Sequence, residues 1–191
     1  MDNEPVPWNF SKLFGRDAPR VLEIGFGNGE NLLAQAQAHP EQDFIGIEVH
    51  RPGVGYLLNR LAAGRVSNAR LICEDAREVL ERCVPDRSLD AILLYFPDPW
   101  PKKRHHKRRL VQTDFVTLLA SKLKSGGVFR TATDWPDYAR HIAKLMHGCA
   151  EFTALPPKHP DTGALGRRLT KFEQRGLRLG HKVSELSFRR R

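Results

Sequence analysis

Carboxylates recur in this chain where apolar runs end. Glu23 opens the stretch Glu23-Ile24-Gly25-Phe26-Gly27-Asn28-Gly29, Glu48 closes DFIGIE (43–48), and Asp75 follows ARLICE (69–74). Glycines between a strand and a helix permit a tight turn and a close backbone approach to a ligand. A dinucleotide fingerprint requires G-x-G-x-x-G. Here the third glycine comes one residue early, and Glu30 stands where that fingerprint has its last glycine. A pyrophosphate seeks helix N–H groups with no carboxylate nearby.

Glu23 is expected at the mouth of this glycine loop, where it suits a ligand carrying positive charge. The E-x-G-x-G-x-G form therefore favours S-adenosylmethionine, with its ammonium and sulfonium, over a nicotinamide dinucleotide. Glu48 is placed to accept from both ribose hydroxyls. Asp75 is placed to accept from an adenine amino group, and it can equally cap a helix starting at Ala76.

A second stretch, LLYFPDPWPKKRHHKRRL (93–110), has its own chemistry. Three prolines fix φ and stiffen the exit from a strand, holding Asp98 and Trp100 in set directions. Trp100 serves equally as a platform for a base or as a plug under the loop. Lys102, Lys103, Arg104, Lys107, Arg108 and Arg109 form a track for phosphates. His105 and His106 lack partner acids nearby in sequence and are not read as metal ligands. The scattered cysteines, Cys73, Cys83 and Cys149, indicate neither a zinc site nor a disulfide frame.

The charge balance supports a local anionic partner. The 191 residues carry 31 Lys and Arg against 22 Asp and Glu, a net +9. Positions 102–109 hold six cations and no acid, and positions 167–191 hold nine cations and two acids, net +7. The remainder is therefore at −4, and the basicity is confined to two segments. The first ten residues carry early acids and no apolar segment of the kind that opens a signal peptide. No run approaches membrane-spanning length. A soluble cytoplasmic protein without membrane or metal is expected.

These residues must be positioned by a regular frame. The apolar pattern predicts strands at 20–25, 43–48, 69–74, 89–96 and 128–132. It predicts helices at 30–38, 51–63, 76–83, 108–123 and 135–149, with Ser125-Gly126-Gly127 closing the fourth. Strands apolar on both sides, alternating with helices, imply an α/β fold with a parallel sheet covered on both faces. Ligands then sit at the carboxyl ends of the strands. Positions 182–189 alternate and predict a late antiparallel edge strand. A single domain over 1–191 is expected, with a short segment at 1–19 and a loop and basic arm at 156–181.

EIGFGNG, GIEVH, YFPDPWPKKRHHKRR, ATDW and LTKFEQRGLRLGH together resemble the bacterial tRNA (guanine-N7)-methyltransferases, from about Leu13 onward. The resemblance implies a Rossmann-like, doubly wound, mostly parallel sheet of about seven strands whose last strand is antiparallel. It implies methyl transfer from S-adenosylmethionine to N7 of a guanine in the tRNA variable loop. It implies cofactor contacts at Glu23, Gly25, Gly27, Gly29, Glu48, Asp75 and Asp98, with Asp98 also catalytic. It implies substrate contacts at Lys102, Asp134, Thr170, Lys171, Phe172 and Glu173, and RNA contact by Arg104, His105, His106, Lys107, Arg108 and Arg109. Asp134 can also be read as a helix N-cap. The family usually carries a longer basic N-terminal extension. Its shortness here leaves a second reading, a shortened paralogue that binds RNA with weak or altered methyltransferase activity.

Overall fold

The computed structural model describes residues 6–156 and 182–191. Strands β1 (Arg20–Ile24), β2 (Asp43–Ile47), β3 (Ala69–Ile72), β4 (Leu89–Tyr95), β5 (Leu123–Thr133), β6 (Phe152–Ala154) and β7 (Ser184–Arg190) form one sheet. Its order is β3-β2-β1-β4-β5-β7-β6. The first five strands are parallel to one another, and β7 runs antiparallel to both β5 and β6. Helices α1 (Phe10–Phe14), α2 (Glu30–Ala38), α3 (Arg51–Ala63), α4 (Ala76–Arg82), α5 (Thr113–Lys122) and α6 (Pro136–His147) cover it. Among the described residues no helix is long and apolar enough to cross a membrane.

The period-two alternation of strand side chains sorts the core into two layers. Leu22, Ile24, Ile92 and Leu94 face a cluster that includes Phe115 and Leu119 of α5 and Tyr138 and Ile142 of α6. Val21, Ala91 and Leu93 face the opposite layer, with Leu32 and Leu33 of α2 and Val54, Leu57 and Leu61 of α3. Burying each such Leu or Ile side chain contributes about 1.5–3 kcal/mol. By the same parity Glu23 lies on the α2/α3 face.

Three expectations need correction. The basic run does not start a helix at Arg108. Lys103–Arg108 is a separate 3-10 turn, and α5 begins at Thr113 with Gln112 as its extended N-cap. Between them Arg109 and Val111 are drawn into the interior, so the chain cannot continue helically. The cations are therefore not set against the N-terminal dipole of α5. Second, α5 ends at Lys122 and β5 starts at Leu123, opposite Leu89. Positions 125–127 belong to the irregular start of β5, where the register jumps between Leu89 and Ala91. Third, β7 is not the edge strand. The three-residue β6, too short to show a period, pairs outside it. Helix α1 was also not expected. Asn9 caps it by accepting from the Lys12 N–H, and Trp8 and Phe10 are buried in the core.

One helix approach controls the ligand edge. A Cβ at Gly53 would stand 2.3 Å from the carbonyl oxygen of Gly27, so α3 rests directly on the glycine loop. Gly55, two positions on, has open space around it. Gly53→Ala is expected to destabilise the fold by about 1–3 kcal/mol through overpacking. Gly55→Ala should be neutral or gain up to about 1 kcal/mol through lower chain entropy. Urea unfolding of the two variants checks this contrast, and equal midpoints would refute it.

Candidate active site

The reversal of strand order falls between β1 and β4, which are paired through Ile24 and Leu94. The glycine loop after β1 and the proline-rich segment after β4 therefore leave the sheet side by side. Gly25, Gly27 and Gly29 have φ of 68°, 58° and 72°, the left-handed region that an L side chain resists. Gly25 N–H donates to the Ile47 carbonyl at 2.8 Å, and Gly29 N–H donates to that of Phe26 at 2.8 Å. Gly29 is then the N-cap of α2.

Glu48 fastens this loop to the end of β2. Its Oε2 accepts from the Gly27 N–H at 2.8 Å, and its Oε1 accepts from the N–H groups of Val49 and His50 at 2.8 and 2.9 Å. A carboxylate has about four lone-pair sites, so the three backbone N–H groups leave Glu48 about one, enough for one ribose hydroxyl and not for both that it was expected to bind. Asp75 caps α4, with Oδ1 accepting from the N–H groups of Arg77 and Glu78. Its side chain is exposed at the same edge, and the cap uses only that oxygen.

Glu23 is not at the loop mouth. It is 5% exposed, under α2, where Asn31 Nδ2 donates to its Oε2 at 2.9 Å. Its place one residue before the strand end turns it onto the α2/α3 face, which is the parity that the sequence reading overlooked. Burial pushes its carboxyl up to about 7, opposed by the Asn31 hydrogen bond.

The segment after β4 is a held elbow. Phe96 and Trp100, neither of them glycine, have φ of 51° and 42° and bracket Pro97-Asp98-Pro99. Left-handed backbone costs such residues about 1–2 kcal/mol each, so the surroundings must enforce it. Phe96 N–H donates to the Ala132 carbonyl of β5 at 2.7 Å. At the other end Arg109 Nε donates to the Pro99 carbonyl at 2.9 Å. Asp98 is exposed and makes no hydrogen bond or ion pair with the described residues.

Trp100 is half-buried but packs on neither core cluster, so it is no plug. The Arg108 guanidinium lies 5.0 Å over its ring, and His105 meets it edge-on at 5.9 Å. The ring thus organises the basic turn, a third role beside the two expected.

Lys102, Lys103, Arg104, Lys107 and Arg108 are exposed, and His105 and His106 are half-buried. Arg109 departs from this track. It is 2% exposed, its Nη2 donates to Asp137 Oδ2 at 2.7 Å, and its guanidinium lies 4.9 Å over the Tyr138 ring. That hydrogen bond holds the Asp137 carboxyl below its ordinary value. Burial holds the Tyr138 hydroxyl above its ordinary range, and the nearby charge of Asp98 pushes the same way. Asp137 and Tyr138 escaped the sequence reading. Only their place in the first turn of α6, beneath the elbow, connects them to it. Asp134 follows β5 at the same edge and is half-buried; the N-cap of α6 is Trp135, so the capping alternative for Asp134 fails. Thr170, Lys171, Phe172 and Glu173 lie outside the described residues. Among the described residues no group of three or more His, Cys, Asp or Glu side chains could hold a metal ion.

The sequence matches a family model described as "Putative methyltransferase" over residues 17–186. It is 54% identical over 184 residues to the tRNA (guanine-N(7)-)-methyltransferase of Nitrosococcus oceani, covering 96% of this chain and 77% of that protein. It is 53% identical over 195 residues to the protein of the same name from Pectobacterium atrosepticum, covering 100% of this chain and 80% of that one. Among solved structures, the 16S rRNA methyltransferase KamB superposes with a TM-score of 0.65 at 16% identity, over 95% of this chain and 93% of that one. The aminoglycoside resistance methyltransferase NpmB1 gives 0.62 at 16% identity, over 96% and 95%. Those two likenesses concern the fold, which is that of the Rossmann-like methyltransferases. Sequence identity above one half, sustained along nearly the whole chain, makes this protein a member of the tRNA (guanine-N7-)-methyltransferase family.

Proposed function

We propose that this protein transfers a methyl group from S-adenosylmethionine to N7 of a guanine in tRNA, in the cytoplasm. One observation carries the reading beyond family membership. The elbow bearing Asp98 leaves the sheet beside the glycine loop and runs directly into an exposed cationic turn. A cofactor site and a phosphate track are thus joined by five residues of chain.

The residues fit the cofactor. Glu23, Glu48, Asp75 and Asp98 make an acceptor set of carboxylates, suited to an ammonium, a sulfonium and ribose hydroxyls. The same set repels a pyrophosphate. Glu48 and Asp75 would hold the ribose and adenine, and the glycine loop would hold the amino-acid end, with Glu23 acting on its ammonium by charge from under α2. When bound, S-adenosylmethionine supplies an electrophilic methyl group on a positively charged sulfur.

Guanine N7 bears a lone pair and no proton, so no residue has to remove one from it. The work left to the protein is alignment and charge. Asp98, held by the elbow and unpaired among the described residues, can accept from the N1–H and amino group of the base. Its negative charge then favours the purine as it becomes cationic. Lys102 and Asp134 flank the base, and Lys103, Arg104, His105, Lys107 and Arg108 hold the attached backbone. Thr170, Lys171, Phe172 and Glu173 complete the substrate contacts.

Incubation with labelled S-adenosylmethionine and unmodified tRNA should label the tRNA, with 7-methylguanosine mapped by its alkali lability. No label on any tRNA would remove the reading. Asp98→Asn should lower turnover on the order of 100-fold, with affinity for S-adenosylhomocysteine held within a few-fold by calorimetry. Equal loss of both would make Asp98 a cofactor ligand only. Neutralising Lys103, Arg104 and Arg108 together should reduce the slope of log K against log salt by about two to three, leaving cofactor affinity unchanged. An unaltered slope would place the RNA surface elsewhere.

Glu23 links the site to pH. Its folded value, about 7, lies above the ordinary 4.5, so its ionisation opposes folding. That cost is absent below about pH 4.5, grows as pH rises, and is complete above about pH 7. The ammonium of a bound ligand favours the ionised form, so binding releases a proton below about pH 7. Affinity for S-adenosylhomocysteine should therefore rise between about pH 5.5 and 7.5. Glu23→Gln should flatten that rise and melt at a higher temperature than the parent at about pH 8, the gap closing towards pH 5. A parent affinity independent of pH would show that Glu23 does not sense the ligand.

A further inference from the structure

We propose that Arg109 is a positioning residue for methyl transfer: through the Pro99 carbonyl it fixes the direction in which Asp98 leaves the sheet, and it is not a phosphate ligand. The proposal rests on the reading of Asp98 given above. Arg109 closes a run of six cations, and by residue type it belongs with the others. The structure separates it from them. Its side chain is 1% exposed, whereas Lys107 and Arg108 face solvent.

The guanidinium is used as a fork. Nε donates to the Pro99 carbonyl at 2.9 Å and Nη2 to Asp137 Oδ2 at 2.7 Å, while the Tyr138 ring lies beneath at 4.9 Å. One rigid planar group thus ties the elbow to the first turn of α6. A phosphate could reach it only by taking it from both partners and from its ring. The Arg109 backbone is itself pinned, its N–H donating to the His106 carbonyl at 3.1 Å and its carbonyl accepting from Gln112 Nε2 at 3.2 Å. His106 Nε2 stands 3.8 Å from the same Asp137 oxygen, so the basic turn closes onto this knot.

What the fork holds is the strained end of the elbow. The Pro99 carbonyl belongs to the peptide that leads into Trp100, whose φ is 42°. Phe96, at the other end, is anchored to β5. Between these two anchors lie Pro97, Asp98 and Pro99, two of them with φ fixed by their rings. Asp98 has no side-chain partner of its own among the described residues, so its direction depends on the anchors.

Arg109→Lys keeps the charge and loses the fork. Turnover per active site, counted by S-adenosylhomocysteine titration, should fall on the order of 10–100-fold. The KM for tRNA and the salt slope should match the parent. Lys103→Gln defines the opposite, phosphate-type pattern, a raised KM and a salt slope smaller by about 0.7–0.9. Asp137→Ala, at a half-exposed side chain, carries the test should Arg109→Lys fail to fold. It should lower turnover in the same way although it removes an acid from beside the basic turn. An Arg109→Lys enzyme with full turnover overturns the proposal, whatever its KM. So does an Asp137→Ala enzyme that binds tRNA more tightly at unchanged turnover. Parent protein that leaves tRNA unlabelled defeats the function and this role together. An active parent with Arg109→Lys at parental turnover and a raised KM for tRNA defeats this role alone.

Discussion

Strands β1 and β4 run parallel and adjacent although two helix-strand units separate them in the chain. That pairing, Val21 to Ile24 against Ala91 to Leu94, is the constraint from which the site follows. β2 and β3 add outward from β1 on one side and β5 adds from β4 on the other, so the loops after β1 and β4 diverge over opposite faces of the sheet. A crevice opens between them at the carboxyl ends. The pairing survives because both strands are apolar on both faces. Moving either one outward would expose Leu22, Ile24, Ile92 and Leu94, or Val21 and Leu93, to water.

The same logic decides how much could be read from residues alone. Helix α2 is legible with its observed limits, since good helix formers follow the glycine loop and end before His39-Pro40, whereas α3 is helical from Arg51 itself and not only after its first turn. The elbow was foreseen because proline acts locally. What escaped depends on distant partners. The basic run reads as a helix start until Arg109 and Val111 are seen to be drawn into a pocket made by α6, 28 residues further on. Strand β6 has three residues and no period, and only the presence of β7 makes it a strand. Among the site acids, residue type was informative and facing was not. Glu48 and Asp75 were placed correctly at strand ends, whereas Glu23 lies one residue earlier and faces a helix.

Glu23 and Arg109 show two ways of placing a charge inside this protein. Arg109 meets a carboxylate, a carbonyl and an aromatic face, so its charge is matched by the fold itself. Among the described residues Glu23 meets one amide and no cation that could balance it, and its proton equilibrium shifts instead. A matched charge rigidifies, and an unmatched one responds to whatever arrives. The first therefore suits the frame around the substrate base, and the second suits the wall of a cofactor site.

The sheet also tapers. Its interior strands β4, β5 and β7 have seven, eleven and seven residues, whereas its outermost strands, β3 and β6, have four and three. An outer strand offers unpaired N–H and C=O groups to any other chain, and a stranger can build on them only for their length. β6 pairs with the last three residues of β7, Phe188 to Arg190, and shortens the ladder that β7 would otherwise present. Its value lies in that shortening: over Phe188 to Arg190 the ladder of β7 is already taken, and no strand of another molecule can pair there.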